Sequence, residues 1–355
     1  GIKISDAQTA HHSLNIPVPL DAIERIEVLK GASARIYGIN ALTGAVNIVT
    51  KKVKNNSLNA NLYAGSSFKN KEQNDGNGMY WGGGAQIYGT VFKESHNHLI
   101  AFSKDEYNGQ RYNSASDTYK GFYQNQIDLN SKNNLQVMAG YIHNAFGANG
   151  FYAAPGDKES FEIVNTALAS IGSSHKITEN FTLKPRISNR YNEDDYRYFR
   201  NDLSRARSEH FSNAFSTELH GIYTTKFGNF GLGWESRWEQ IESSNLGEHK
   251  RNNHGAYAEY RFTIAQKLFV NAGAYANYNS VYGWQVFPGV DLAYQIHSNL
   301  NFGVNVGSSQ RIPSFTDLYL NQRPGNIGNP NLQPENSWQY EAHVQYRYKN
   351  FKIKA

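Results

Sequence analysis

The stretch Trp338-Gln339-Tyr340-Glu341-Ala342-His343-Val344-Gln345-Tyr346-Arg347-Tyr348 decides the fold. Successive side chains of an extended chain point to opposite faces, so Trp338, Tyr340, Ala342, Val344, Tyr346 and Tyr348 share one face and Gln339, Glu341, His343, Gln345 and Arg347 the other. One face is apolar and the other polar. The same period of two returns upstream. Leu300, Phe302, Val304 and Val306 alternate with Asn301, Gly303, Asn305 and Gly307, and Phe230, Leu232, Trp234 and Trp238 oppose Glu235, Arg237 and Glu239.

From about Ser57 onward, stretches of this kind are separated by clusters of Asn, Gly, Ser and Lys. A soluble sandwich also alternates, so the lengths of the connections discriminate. Short turns near 94–97, 130–134, 226–229, 265–267, 297–299 and 349–350 take turns with longer polar loops near 70–79, 105–116, 147–160, 193–209, 244–251 and 310–336. Short turns at one end and long loops at the other form the pattern of an outer-membrane barrel, whose strands need only about 9 to 11 residues to cross the hydrocarbon. This reading predicts about fourteen strands and the start of another at 351–355, in a transmembrane antiparallel β-barrel.

Composition agrees. Among 355 residues there are 24 Tyr, 19 Phe and 31 Gly, a bias toward strands and turns in an all-β dominated fold. A mean hydropathy of -0.64 and the lack of a long apolar run exclude membrane-spanning helices but not a barrel, which hides its lipid face in alternation. The chain has no Cys, which removes disulfides, thiolate zinc sites and cysteine nucleophiles. The net charge of +5 is scattered rather than gathered in a stripe, which argues against a nucleic-acid partner. No phosphate loop, His-Glu-x-x-His or Gly-x-Ser-x-Gly is present, so the chain is not expected to be an enzyme and no cofactor is expected.

The first fifty residues differ. Apolar runs at Ile23, Ile26, Val28 and Leu29 and at Ala45, Val46, Ile48 and Val49 are separated by Gly31, Gly38 and Gly44, as in a small α+β unit with tight turns. The block Ile23-Glu24-Arg25-Ile26-Glu27-Val28-Leu29-Lys30-Gly31, then Tyr37-Gly38, then Gly44-Ala45-Val46-Asn47-Ile48-Val49-Thr50, closely resembles the end of the plug domain of TonB-dependent outer-membrane receptors. A second block, Arg311-Ile312-Pro313-Ser314-Phe315-Thr316-Asp317-Leu318-Tyr319, with Gly328-Asn329-Pro330-Asn331-Leu332-Gln333-Pro334-Glu335 and Tyr340-Glu341, resembles that family's barrel signature.

The resemblance implies a C-terminal piece of a plug over 1–52 and a partial barrel over 53–355, with 14–15 strands of about 22. The absence of an N-terminal secretion signal and of an aromatic terminal residue leads us to expect a fragment lacking both ends, without the TonB-binding segment. It implies a receptor in the outer membrane of a Gram-negative bacterium, set among lipid and lipopolysaccharide. Such a receptor imports a scarce nutrient (an iron siderophore, haem or cobalamin) under the pull of the TonB-ExbB-ExbD complex. A passive porin or an adhesive barrel is the alternative.

For sites, the resemblance implies a plug-to-barrel latch between Lys30 and Glu341, in which lysine replaces the commoner arginine and loses its bidentate fork. Glu24, Arg25, Glu27, Gly31, Tyr37, Gly38, Gly44 and Asn47 form the plug signature, and architecture alone accounts for most such residues. The segment Ser5-Asp6-Ala7-Gln8-Thr9-Ala10-His11-His12-Ser13-Leu14-Asn15 resembles an apical loop, which nominates Gln8, His11 and His12, with Arg311 and Arg323 of the barrel, as ligand contacts. Adjacent histidines on a strand face opposite ways and chelate poorly, so no metal site is assigned. Tyr80, Trp81, Tyr191, Tyr196 and Trp338 are expected in interfacial girdles. Glu193, Asp194 and Asp195, with Arg197, Arg200, Arg205 and Arg207, are expected as solvated loop charges.

Overall fold

The computed structural model describes residues 2–9, 11–30, 38, 40–42, 44–152 and 156–355, with the side chains of His11, Leu14 and Lys30 excepted. Two antiparallel sheets account for nearly all of its regular structure. The N-terminal segment folds through 3-10 turns at His11–Leu14 and Leu20–Ala22 into a ribbon of β1 (Ile23–Lys30) and β2 (Gly44–Thr50). Among its described residues those turns are the only helical structure.

The large sheet has fifteen strands, in strict sequence order from β3 at one edge to β17 at the other. They are β3 (Ser57–Asn70), β4 (Met79–Phe92), β5 (His96–Tyr107), β6 (Ser116–Asn130), β7 (Asn133–Gly147), β8 (Phe161–Lys176), β9 (Phe181–Arg197), β10 (Arg207–Thr224), β11 (Gly228–Ser243), β12 (Gly247–Ile264), β13 (Leu268–Asn279), β14 (Gly283–His297), β15 (Leu300–Arg311), β16 (Glu335–Tyr348) and β17 (Phe351–Lys354). Each pairs only with its neighbours in sequence, and β3 and β17 do not close on one another. The count agrees with the alternation.

The faces are inverted relative to a soluble protein. On β10, Phe211, Phe215 and Leu219 are exposed, whereas Ser208, His210, Ser212, Ser216 and Glu218 are buried. On β16, Trp338 and Tyr340 are 58% and 74% exposed, while Gln339 and Glu341 turn inward. A soluble sheet buries its apolar face; this one encloses its polar face, as a barrel wall does.

Two expectations need correction. Tyr80 is 1% exposed, and its hydroxyl donates to Asp75 from the inner face, 2.8 Å away. Adjacent residues of a strand face opposite ways, so Tyr80 and Trp81 cannot share a girdle; Trp81, Tyr191 and Trp338 do face out, but Tyr196 packs against Tyr152. The loops expected at 193–209 and 244–251 are also shorter. β9 runs to Arg197, β10 starts at Arg207, and β11 and β12 are joined by residues 244–246 alone. Glu193, Asp194, Asp195, Arg197 and Arg207 are therefore strand residues, and Asp194 is buried.

Two of the apolar clusters lie where the N-terminal segment meets the inner face. Val18 and Ala22 pack on Leu99, Ala101 and Phe122, and Ala7 packs on Ile241, Leu246 and Phe315. The segment is thus seated against the wall.

Candidate functional site

The polar stretch from Lys3 to Asn15 lacks alternation and takes up turns instead. Gln8 N–H donates to the Asp6 carboxylate, 2.6 Å away, and Asn15 N–H donates to the His12 carbonyl at 3.1 Å. The wall holds this stretch by charge. Arg190 of β9 pairs with Asp6, both side chains being almost wholly buried. Arg237 of β11 donates to the Ser5 carbonyl at 2.8 Å, and the Lys3 ammonium meets Glu235. Glu239 lies between Arg237 and Arg251, so each buried guanidinium has a carboxylate.

From above, the segment is held by the connection 312–334. Ser314 and Asp317 form a capping box that starts the short helix α1 (Phe315–Tyr319). The Phe315 and Thr316 N–H groups donate to the carbonyls of Ala7 and Gln8, at 2.9 and 3.1 Å. Helix-start donors, which have no partner within the helix, thus find one in the N-terminal segment. Arg251 donates to the Pro313 carbonyl and lies over the Phe315 ring, 4.6 Å from its centre.

Next to this, Gln8 donates to Asp194 at 2.6 Å, and His12 Nε2 lies 3.1 Å from Asp194 and 3.6 Å from Glu162. Burial disfavours charge on His12, but the hydrogen bond and charge of Asp194, with Asp6 and Glu162 beyond, outweigh it and hold the imidazole pKa above its ordinary value. Tyr152 closes the top by donating to Glu162 at 2.6 Å; burial first, then the Glu162 and Asp194 charges, push its phenol pKa far up.

The long loops are tied to each other. Arg200 donates to Glu159, Asn113 and Tyr112 at 3.1, 2.7 and 3.1 Å, and Asn113 also donates to the carbonyls of Lys158 and Ser160 and to Asp75.

Of the residues nominated from sequence, Gln8 and His12 come together on Asp194. The side chain of His11 lies outside the described residues. Arg311 is engaged elsewhere, in a bidentate pair with Glu335 directly across from it on β16, at 2.6 and 3.3 Å. Arg323 is exposed in the connection 312–334. Gly31, Tyr37 and the side chain of Lys30 lie outside the described residues; the Lys30 backbone pairs with Gly44. Glu341 faces inward, 3.9 Å from His343.

Near Glu341 the wall grips the N-terminal segment through its backbone. Ser309 and Gln339 donate to the Leu42 carbonyl, and Asn40 N–H donates to the Gln310 carbonyl at 2.8 Å. Gly38 has φ +77 and lies so close to Tyr275 that an added Cβ would be 2.8 Å from its hydroxyl, so both backbone conformation and close packing favour glycine here. Glu24, Arg25, Glu27 and Asn47 form a chain of surface contacts across the ribbon. Hydrogen bonds from Asn47 and then Arg25 hold the Glu27 carboxyl below its usual range.

Sequence reasoning missed Glu162, Arg190, Asp194 and Arg251. Their signal is a charged residue at an inward register of a strand, for Glu162, Asp194 and Arg251 near its long-loop end.

A model of the TonB-dependent receptor-like β-barrel matches residues 56–355, and one of the TonB-dependent receptor plug domain matches residues 1–45. The chain belongs to the TonB-dependent receptor family. It is 27% identical over 366 aligned positions to the vitamin B12 transporter BtuB of Photobacterium profundum, covering 96% of this chain and 54% of the relative. A probable TonB-dependent siderophore receptor, PirA of Acinetobacter baumannii, is 60% identical over 38 residues, covering 11% of this chain and 5% of the relative. The crystal structure of the siderophore receptor PirA from Pseudomonas aeruginosa superposes with TM-score 0.77 at 16% identity, covering 94% of this chain and 61% of that one. The receptor chain thus spans little more than half the length of the curated transporters that it matches along most of its length.

Proposed function

We propose that this receptor chain is part of an outer-membrane transporter of a Gram-negative bacterium that captures a scarce nutrient, an iron siderophore, haem or cobalamin, and passes it to the periplasm. Residues 1–52 act as the end of the plug and residues 53–355 as barrel wall. The observation that carries this reading is a plug segment seated on the polar inner face through the buried Asp6–Arg190 pair, so that the wall encloses a stopper rather than an open pore. Relatives named as vitamin B12 transporters and siderophore receptors support the nutrient class. The exposed apolar face, with Trp81, Tyr191 and Trp338 on it, suits surrounding lipid and lipopolysaccharide.

Import draws energy from the TonB-ExbB-ExbD complex pulling on the plug. Of the nominated ligand contacts, exposed Arg323 is assigned first contact, and Gln8 and His12 link the plug to the wall beneath. A Lys30–Glu341 latch is supported by Gln339, which lies two residues along on the same face of β16 and binds Leu42. The reading is tested by deleting the gene and growing cells on single iron siderophores, haem or cobalamin. Growth lost on one source and restored by the intact gene is expected; equal growth on all sources refutes the proposal.

A further inference from the structure

Three side chains far apart in sequence meet beneath Tyr152, namely His12 from the plug, Glu162 at the start of β8 and Asp194 near the end of β9. All three are buried, and one donor atom from each lies within 4.8 Å of the other two. Donors sharing a zinc-like ion at about 2.0–2.2 Å stand about 3.4 Å apart in a tetrahedron, so shifts of about an ångström or less would gather these.

Two further observations point to a ligand. Gln8 is 3% exposed and donates its amide N–H to Asp194, yet its Oε1 has no hydrogen-bond partner; the same holds for Glu162 Oε2 and Asp194 Oδ1. Buried polar atoms without partners are rare and call for a missing one. The two carboxyl groups also crowd one another. Arg190 is engaged by Asp6, so Glu162 and Asp194 face each other with only imidazoles, those of His12 and His210, at hydrogen-bond or ion-pair range among the described residues. Beside them, His210 is held at Nδ1 by Ser243, 2.8 Å away, and its Nε2 lies 4.0 Å from Asp194.

We propose that His12, Glu162 and Asp194, with Gln8 Oε1 as a fourth donor, bind a first-row divalent cation of the zinc class. One imidazole with oxygen donors and no thiolate suits Zn2+ better than Mg2+ or Ca2+, which prefer all-oxygen shells. Two donors belong to the plug and two to the wall, so the ion pins the apical turn of the plug to β8 and β9. His210, 4.0 Å from Asp194, is placed to orient that carboxyl group.

The test uses the full chain, folded in detergent and stripped of metal with a chelator. It is titrated with Zn2+ by calorimetry, and with Co2+ followed by its visible absorption. One Zn2+ per chain is expected for the wild type. His12→Ala and the Glu162→Gln, Asp194→Asn pair should weaken binding by about tenfold or more, since losing even an outer partner of a metal site costs about 10–100-fold. Glu27→Gln, on the distant ribbon, should bind as the wild type does.

Stoichiometric binding unchanged in the site variants overturns the proposal. So does a wild type that takes up no Zn2+, a result that stands even if the variants fail to fold. Nutrient uptake is not read in this experiment, so its outcome is separate from that of the transport reading.

Discussion

Two regions of the plug segment carry ion pairs, and they differ in almost every physical respect. On the β1–β2 ribbon, the Arg25 and Glu27 side chains are 53% and 38% exposed. In the apical stretch, the Arg190 and Asp6 side chains are 3% and 0% exposed. The ribbon holds the residues that make the family recognisable, yet its pairs are soft, because solvent competes for exposed charges. The apical stretch carries only a loose resemblance to an apical loop, yet its Asp6 and the Arg190 it meets are stripped of water and must be matched. Recognisability and mechanical importance therefore lie in different places along fifty residues.

The largest way to break this contrast is Arg190→Ala, which leaves Asp6 buried and alone. It should cost about 3–5 kcal/mol, read as an earlier midpoint in chemical denaturation of the detergent-solubilised protein and faster proteolysis of the apical stretch. A midpoint within error of the wild type would remove the distinction between the two regions.

Gly38→Ala comes next. Its Cβ must enter space held by Tyr275 and Glu235 in a backbone conformation unfavourable to alanine, for about 1–3 kcal/mol by the same assay. Ser314→Ala removes the cap of α1, whose N–H groups hold Ala7 and Gln8, and should cost about 1 kcal/mol. Finally, Arg25→Ala should leave the midpoint unchanged, although it deletes a residue of the plug signature. A shift as large as that of Arg190→Ala would show that the exposed ribbon bears load after all.

Much of the wall was legible because period two is a local property. Trp338 to Tyr348 announces a strand and says which side is apolar. The errors share one cause. The inner face of this wall is polar, so an inward strand position such as His249 or Arg251 has the composition of a loop, and residues 247–251 were read as one. Tyr80 failed for a related reason, since an aromatic residue at a strand end fits either face.

The candidate site was half legible. Gln8 and His12 stood out in a short polar segment, but Asp194, Glu162 and Arg190 become their partners only when the segment docks, and no spacing along the chain encodes that. The plug signature was legible as pattern; that its charges meet one another rather than the wall became visible only in three dimensions.

Arg200 has a consequence for how the mouth behaves. By holding Tyr112, Asn113 and Glu159 at once, with Asn113 reaching on to Asp75, it turns four loops from independent bristles into one stiff plate. A plate tilts as a whole. Anything that pushes aside 198–206 must lift 108–115 and 156–160 as well, and because Gly150 N–H donates to Asp157 at 3.1 Å, the neighbouring Tyr152 carries that tilt down to Glu162.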